Sequence, residues 1–158
     1  MEQIIITGVV KNKPGVLASI ADKFRQLNIN INSLNTSETD DPAFNCITIV
    51  TDTDGFDFNV ISRELTLVAE IKGLEKLNMG DHYERELLLV KIALNQETMP
   101  HIMQIGELFR AKVDGIGKGS ITLELVDEPA QIKGFLNMLK PFGILGMSKT
   151  GRTAIKKD

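Results

Sequence analysis

The run Ile4-Ile5-Ile6-Thr7-Gly8-Val9-Val10, the turn Lys11-Asn12-Lys13-Pro14-Gly15 and the stretch Val16-Leu17-Ala18-Ser19-Ile20-Ala21-Asp22-Lys23-Phe24-Arg25-Gln26-Leu27 decide the fold. The first is almost entirely apolar and β-branched, the composition of a strand covered on at least one face. In the third, Val16, Leu17, Ile20, Ala21, Phe24 and Leu27 recur at helical spacing, while Ser19, Asp22, Lys23, Arg25 and Gln26 take the opposite face. A strand, a Pro-Gly turn and an amphipathic helix therefore open the chain.

Working outward, Ile29 to Asn35 alternates apolar and polar residues, Asp40-Asp41-Pro42 interrupts it, and Phe44 to Thr51 is a second strand-like run, which predicts a hairpin. Asp54-Gly55 punctuates the chain again; Phe58, Ile61, Leu65 and Val68 recur at helical spacing, and a weaker strand spans Ala69 to Leu77. The order is βαββαβ. It repeats from Glu84. Leu87 to Leu94 form a strand, Thr98 is the expected N-cap and Pro100 sits in the first turn of a helix with Ile102, Ile105, Leu108 and Phe109 inward. Lys112 to Ile116 and Ile121 to Val126 pair across Gly117-Lys118-Gly119. Pro129 opens a last helix with Ile132, Phe135, Leu136 and Leu139 inward, Pro141 ends it, and a short strand follows near Ile144 to Ser148. The expected fold class is α+β, with two ferredoxin-like βαββαβ domains at 1–78 and 84–158 and a boundary at Asn78-Met79-Gly80-Asp81-His82-Tyr83. A sheet with helices on one face leaves the other to be covered, so association with another subunit is expected.

Composition narrows the function. The chain has 158 residues, 42% hydrophobic and 25% charged, with 18 basic and 21 acidic residues interspersed and a net charge of -3. No basic surface is implied, and nucleic acid is not the expected partner. The one Tyr and absent Trp also leave the predicted central strands without a base-stacking pair. Runs such as Leu87-Leu88-Leu89-Val90 are too short to span a bilayer and no signal pattern opens the chain, so a cytoplasmic protein with no membrane partner is expected. The single cysteine, Cys46, fits a reducing compartment and reads as a buried structural thiol rather than a nucleophile.

A search for chemistry returns little. His82 and His101 have no ligand partner at helical spacing, so no metal site is built locally. Asp40-Asp41 and Asp52-Thr53-Asp54 fall at predicted turns, where Asp bonds its own backbone. Gly115-Ile116-Gly117-Lys118-Gly119 lies in a hairpin rather than between strand and helix, and no nucleophile-base pair is visible. What remains is the loop Lys11 to Leu17. Gly15 lets a ligand approach the backbone, the amides and dipole of the helix start attract a carboxylate, and the Asn12 amide can orient it or bind an ammonium. By residue type alone, an ordinary Pro-Gly turn capped by Asn12 accounts for the loop better than a ligand site does.

Asn12-Lys13-Pro14-Gly15-Val16-Leu17, with Ile20, Phe24 and Asn28-Ile29-Asn30-Ile31-Asn32-Ser33-Leu34, resembles the start of an ACT domain, and more narrowly the small regulatory subunits of acetolactate synthase (acetohydroxyacid synthase). Glu84 to Lys91, Leu108 to Val113, Pro141-Phe142-Gly143-Ile144 and Lys149-Thr150-Gly151-Arg152 are similar to later segments of that family. The resemblance implies a non-catalytic homodimer, paired through its ACT domains, that activates a separate catalytic subunit and confers feedback inhibition by valine or another branched-chain amino acid. Thiamine diphosphate, Mg and FAD would belong to that catalytic partner and no cofactor to this chain. Carried over by position, Asn12, Pro14, Gly15, Val16 and Leu17 would line the effector loop of one protomer, and Asn30 and Ile31 would complete the pocket from the other. The chain departs from the family pattern at Ala18-Ser19 and Asn45-Cys46, where Ser-Arg is common, and at Lys149, where Arg is usual. A free-standing ACT sensor of another enzyme or transporter, and a small enzyme with a site at a dimer interface, are the alternatives.

Overall fold

The computed structural model describes residues 3–52, 55, 57–68 and 70–158. Thr53, Asp54 and Ala69, assigned from the sequence to a turn and to the start of a strand, lie outside the described residues. The chain divides into two compact units, Met1–Tyr83 with Arg152–Asp158, and Glu84–Gly151.

In the first unit, β1 (Gln3–Lys11), α1 (Val16–Gln26), β2 (Ile31–Glu38), β3 (Phe44–Asp52), α2 (Phe58–Thr66) and β4 (Ile71–Leu77) follow in order. The strands form an antiparallel sheet ordered β2-β3-β1-β4. Because strand side chains alternate, Ile4, Ile6 and Val10 of β1 and Ile47 and Ile49 of β3 fall in one inward row. That row packs with Val16, Ile20 and Phe24, spaced four apart on α1, and with Ile61 and Leu65 of α2. Each such side chain removed from water contributes about 1.5–3 kcal/mol before conformational entropy is subtracted, so this apolar stripe holds the helices to the sheet. Gly8 lies in the same row and makes room for β4: a Cβ there would meet Leu74 Cδ2 at 3.0 Å.

In the second unit, β5 (His82–Ala93), α3 (Met99–Phe109), β6 (Lys112–Ile116), β7 (Ser120–Asp127), α4 (Pro129–Leu139) and β8 (Ile144–Lys149) repeat the plan, in a sheet ordered β6-β7-β5-β8. Its core joins Leu88, Val90 and Ile92, Ile121, Leu123 and Leu125, and Ile102, Ile132, Phe135 and Leu139 from the helices. The two ferredoxin-like units and the α+β class are those the periodicity predicts.

Some details differ. Thr98 occupies the N-cap position of α3 without a side-chain cap bond; Asn95 Oδ1 instead accepts the N–H groups of Glu97 and Thr98, at 3.0 and 2.8 Å. The expected linker 78–83 turns at Asn78 to Gly80 and is already strand from His82. Residues 152–158, assigned from the sequence to the second domain, group with the first unit. Within them β9 (Thr153–Lys156) pairs with β5, which itself begins at His82 in the first unit, and Ala154 packs on Ile5, Val50 and Leu77. These three residues belong to the sheet face opposite α1 and α2.

Candidate functional site

The loop between β1 and α1 is built by three local constraints. Gly15 sits at the N-cap of α1 with φ of +90°, a left-handed conformation that side chains other than Gly resist. Val16 then turns inward, and Ser19 donates its backbone N–H to the Gly15 carbonyl at 2.9 Å, which starts the helical ladder. Helix geometry leaves the N–H groups of Leu17 and Ala18 without an intrahelical acceptor. With the positive end of the helix dipole behind them, these amides suit a carboxylate.

Asn12, Lys13, Pro14, Gly15 and Leu17 are exposed, and Leu17 presents an apolar side chain at the rim. Val16 is different. Its side chain is 6% exposed and belongs to the core, so only its backbone is available to a ligand. Asn12 does not cap the helix. Its backbone N–H donates to the Ala43 carbonyl at 2.9 Å and its Nδ2 donates to the Pro42 carbonyl at 3.2 Å, while its Oδ1 accepts from Asn45 Nδ2 at 3.4 Å. The loop is thus tied to the β2-β3 hairpin, whose own turn is closed by Asp41 Oδ1 accepting the Ala43 N–H at 2.9 Å. Lys13, itself exposed, reaches the half-buried Glu70 at 3.7 Å, a long surface pair that adds little.

Asn30 and Ile31 stand at the other end of the same sheet. Ile31 pairs with Thr51, and Thr51 with Ile4, whereas the loop leaves β1 beside the Lys11–Phe44 pair. Seven residues of strand separate the two ends, roughly 23 Å at the strand rise. Asn30 donates Nδ2 to Asn32 Oδ1 at 3.0 Å, and its carbonyl accepts the Thr51 hydroxyl at 2.5 Å. Within the chain the predicted site residues therefore form two separate groups.

The remaining candidates resolve into structure. Cys46, expected to be buried, is exposed, because Ile47 and Ile49 take the inward row and leave Cys46 on the outer face, with its Sγ 3.1 Å from Ser37 Oγ. His82 Nδ1 lies 2.8 Å from the Asn78 carbonyl, and His101 stacks on Phe142 at 6.5 Å. Among the described residues no group of His, Cys, Asp and Glu is arranged to hold a metal ion, and no helix is long and apolar enough to cross a membrane. In the terminal motif, Lys149 Nζ is 3.5 Å from the buried Glu86 carboxylate, Thr150 Oγ1 accepts the Leu87 N–H at 3.1 Å, and Arg152 donates to Gln3 Oε1 at 2.9 Å. That motif anchors the chain. Pro42 and Asn45, some thirty residues from Asn12, were missed in the sequence; the available signal was an amide at Asn45 on a row otherwise continued by Ile47 and Ile49.

Comparison with known proteins bears on what such a loop serves. Residues 6–71 match the family model for the AHAS small subunit-like ACT domain, and residues 85–158 the model for the small subunit of acetolactate synthase. The acetolactate synthase small subunit of Aquifex aeolicus is 30% identical over 155 residues, covering 98% of this chain and 81% of its own length. This chain belongs to the acetolactate synthase small-subunit family. The Bacillus subtilis acetolactate synthase small subunit is likewise 30% identical over 154 residues, covering 97% of this chain and 90% of the relative. The crystal structure of the acetolactate synthase small subunit from Thermotoga maritima shares the fold, with a TM-score of 0.92 at 23% identity over 99% of this chain and 98% of that one. As an acetolactate synthase small subunit, the chain carries an ACT domain over the β1-α1 loop just described.

Proposed function

We propose that this small subunit is the non-catalytic regulator of an acetolactate synthase: it binds the thiamine-diphosphate catalytic subunit, raises its activity, and confers feedback inhibition by valine or another branched-chain amino acid. The observation that carries the reading is family membership across both units combined with the open β1-α1 loop in the ACT domain. Thiamine diphosphate, Mg and FAD are assigned to the catalytic partner, and none to this chain.

The effector's carboxylate meets the N–H groups of Leu17 and Ala18 and the dipole of α1, and Asn12 supplies polar recognition. Leu17 offers apolar contact to a branched side chain. A surface loop alone buries little of a small ligand, whereas functional pockets enclose most of it, so a second surface is required. Asn30 and Ile31 meet that need from another copy. If β2 pairs antiparallel with β2 of a second protomer, Ile31 of the partner subunit comes to the Glu38 end of this strand, which is the end that carries the loop. A homodimer through the ACT domains then holds two such pockets. Occupancy favours a protomer arrangement that activates the catalytic subunit less well, a coupling free energy between two sites.

The test is to add the purified chain to its catalytic subunit and follow acetolactate formation with and without valine, leucine or isoleucine. Stimulation by the chain, reversed by at least one of these amino acids, is expected. Absence of stimulation overturns the regulatory assignment.

A further inference from the structure

We propose that Asn45 is a positioning residue of the effector loop, one that sets the orientation of the Asn12 amide without touching the ligand; the proposal rests on the effector reading given above. Asn45 pairs with Val10 and shares a row with Ile47 and Ile49, both in the core. An amide in such a place costs free energy unless its polar atoms are bonded. Its Nδ2 donates to Asn12 Oδ1 at 3.4 Å, but its Oδ1 is buried with no hydrogen-bond partner among the described residues. A leucine would fill a similar volume without that penalty, so packing does not explain the amide; the contact with Asn12 does.

Asn12 is gripped from its other side by the Pro42 carbonyl, which accepts from Nδ2 at 3.2 Å. Reversing the Asn12 amide would set its Oδ1 against that carbonyl, so the Pro42 contact selects one orientation. The Asn45 N–H then holds the Asn12 oxygen that this orientation presents, and a reversal would leave it facing the Asn12 NH2 group unless Asn45 turned as well. One N–H and one lone pair of Asn12 then remain for a ligand, matching the carboxylate and the ammonium of an α-amino acid. An amide free to turn would hold that arrangement only part of the time, and apparent affinity falls in proportion to the competent fraction.

Titration calorimetry of the full chain with valine, leucine and isoleucine, beside the ligand-free Tm, tests this. Asn45→Leu is expected to weaken binding roughly two- to tenfold while keeping or raising the ligand-free Tm, since the unmet acceptor is removed. Asn45→Asp, of the same size, opposes a carboxylate to Asn12 Oδ1 and is expected to weaken binding further; it keeps the test decisive if Asn45→Leu lowers the Tm. In the Asn12→Ala background, Asn45→Leu should cost nothing more. Equal affinity of wild type and both Asn45 variants, or additive losses in the cycle, overturns the proposal and leaves the effector reading standing. No binding of any of the three amino acids by the wild-type chain overturns the effector reading and the proposal with it.

Discussion

Gly15 shows how a single residue serves both the fold and the candidate site. Its φ of +90° lets the chain leave β1, pass Pro14 and enter α1 with Val16 already inward. Among the described residues an added Cβ would meet nothing within 4 Å, so the cost of Gly15→Ala is conformational rather than steric. It is expected to destabilise by about 1–2 kcal/mol, read as a lower denaturation midpoint in urea at unchanged slope, and to weaken amino-acid binding because the Leu17 and Ala18 amides shift. An unchanged midpoint would show that the turn accommodates a side chain. At this scale the sequence was readable where a residue type has one structural use, as with Pro14-Gly15. It was not readable where the outcome depends on which side of a strand faces helices. Cys46 and Asn45 are adjacent on β3, and only the register decides that the thiol is exposed and the amide half-buried.

Helices and strands follow from periodicity with little tertiary help where the apolar stripe is strong. α1 and α4 begin where expected, at Val16 and Pro129, and the β6-β7 turn falls at Gly117 to Gly119. Capping is where the elements add detail: Asp57 closes the start of α2 by accepting the Asn59 N–H at 3.0 Å. That bond, with the Asn59 side-chain amide, holds the Asp57 carboxyl below its ordinary pKa. A carboxyl depressed in the folded state contributes stability above its unfolded pKa, about 3.9, and loses it as pH falls through the folded value. Asp57→Ala is therefore expected to lower the Tm at pH 7 and to differ less from wild type near pH 3; a gap that is constant with pH would remove the ionised cap from the account. β9 escaped the sequence because Thr153-Ala154-Ile155-Lys156 is too short to display alternation. Its strand conformation comes from the partners it finds.

The side-chain contacts of the terminal segment lie in the first unit. Ala154 covers Ile5, Val50 and Leu77, which are 6%, 2% and 4% exposed, while Arg152 donates to Gln3 and Lys156 pairs with Glu75. Deleting 152–158 is expected to speed hydrogen exchange in β1, β3 and β4 and lower the unfolding temperature of the first unit, while protection in α3 and α4 stays as in the full chain. Unaltered exchange in β1 and β3 would show that the strap is not part of that unit's stability. By itself the sequence determined the two βαββαβ repeats, the turns, the open loop at Asn12 to Leu17 and most of the helix faces, because a period of 3.6 or 2 in apolar residues states which side of each element must leave water. Leu17, Ala21 and Leu108 are exposed where the spacing put them inward. The tertiary structure alone decided that Asn12 is held by Pro42 and Asn45, that Asn30 and Ile31 stand at the far end of the sheet from the loop, and that the chain's last strand returns to its first. Contacts between residues thirty or more positions apart are set by strand register and the packing of whole elements, which local periodicity does not encode.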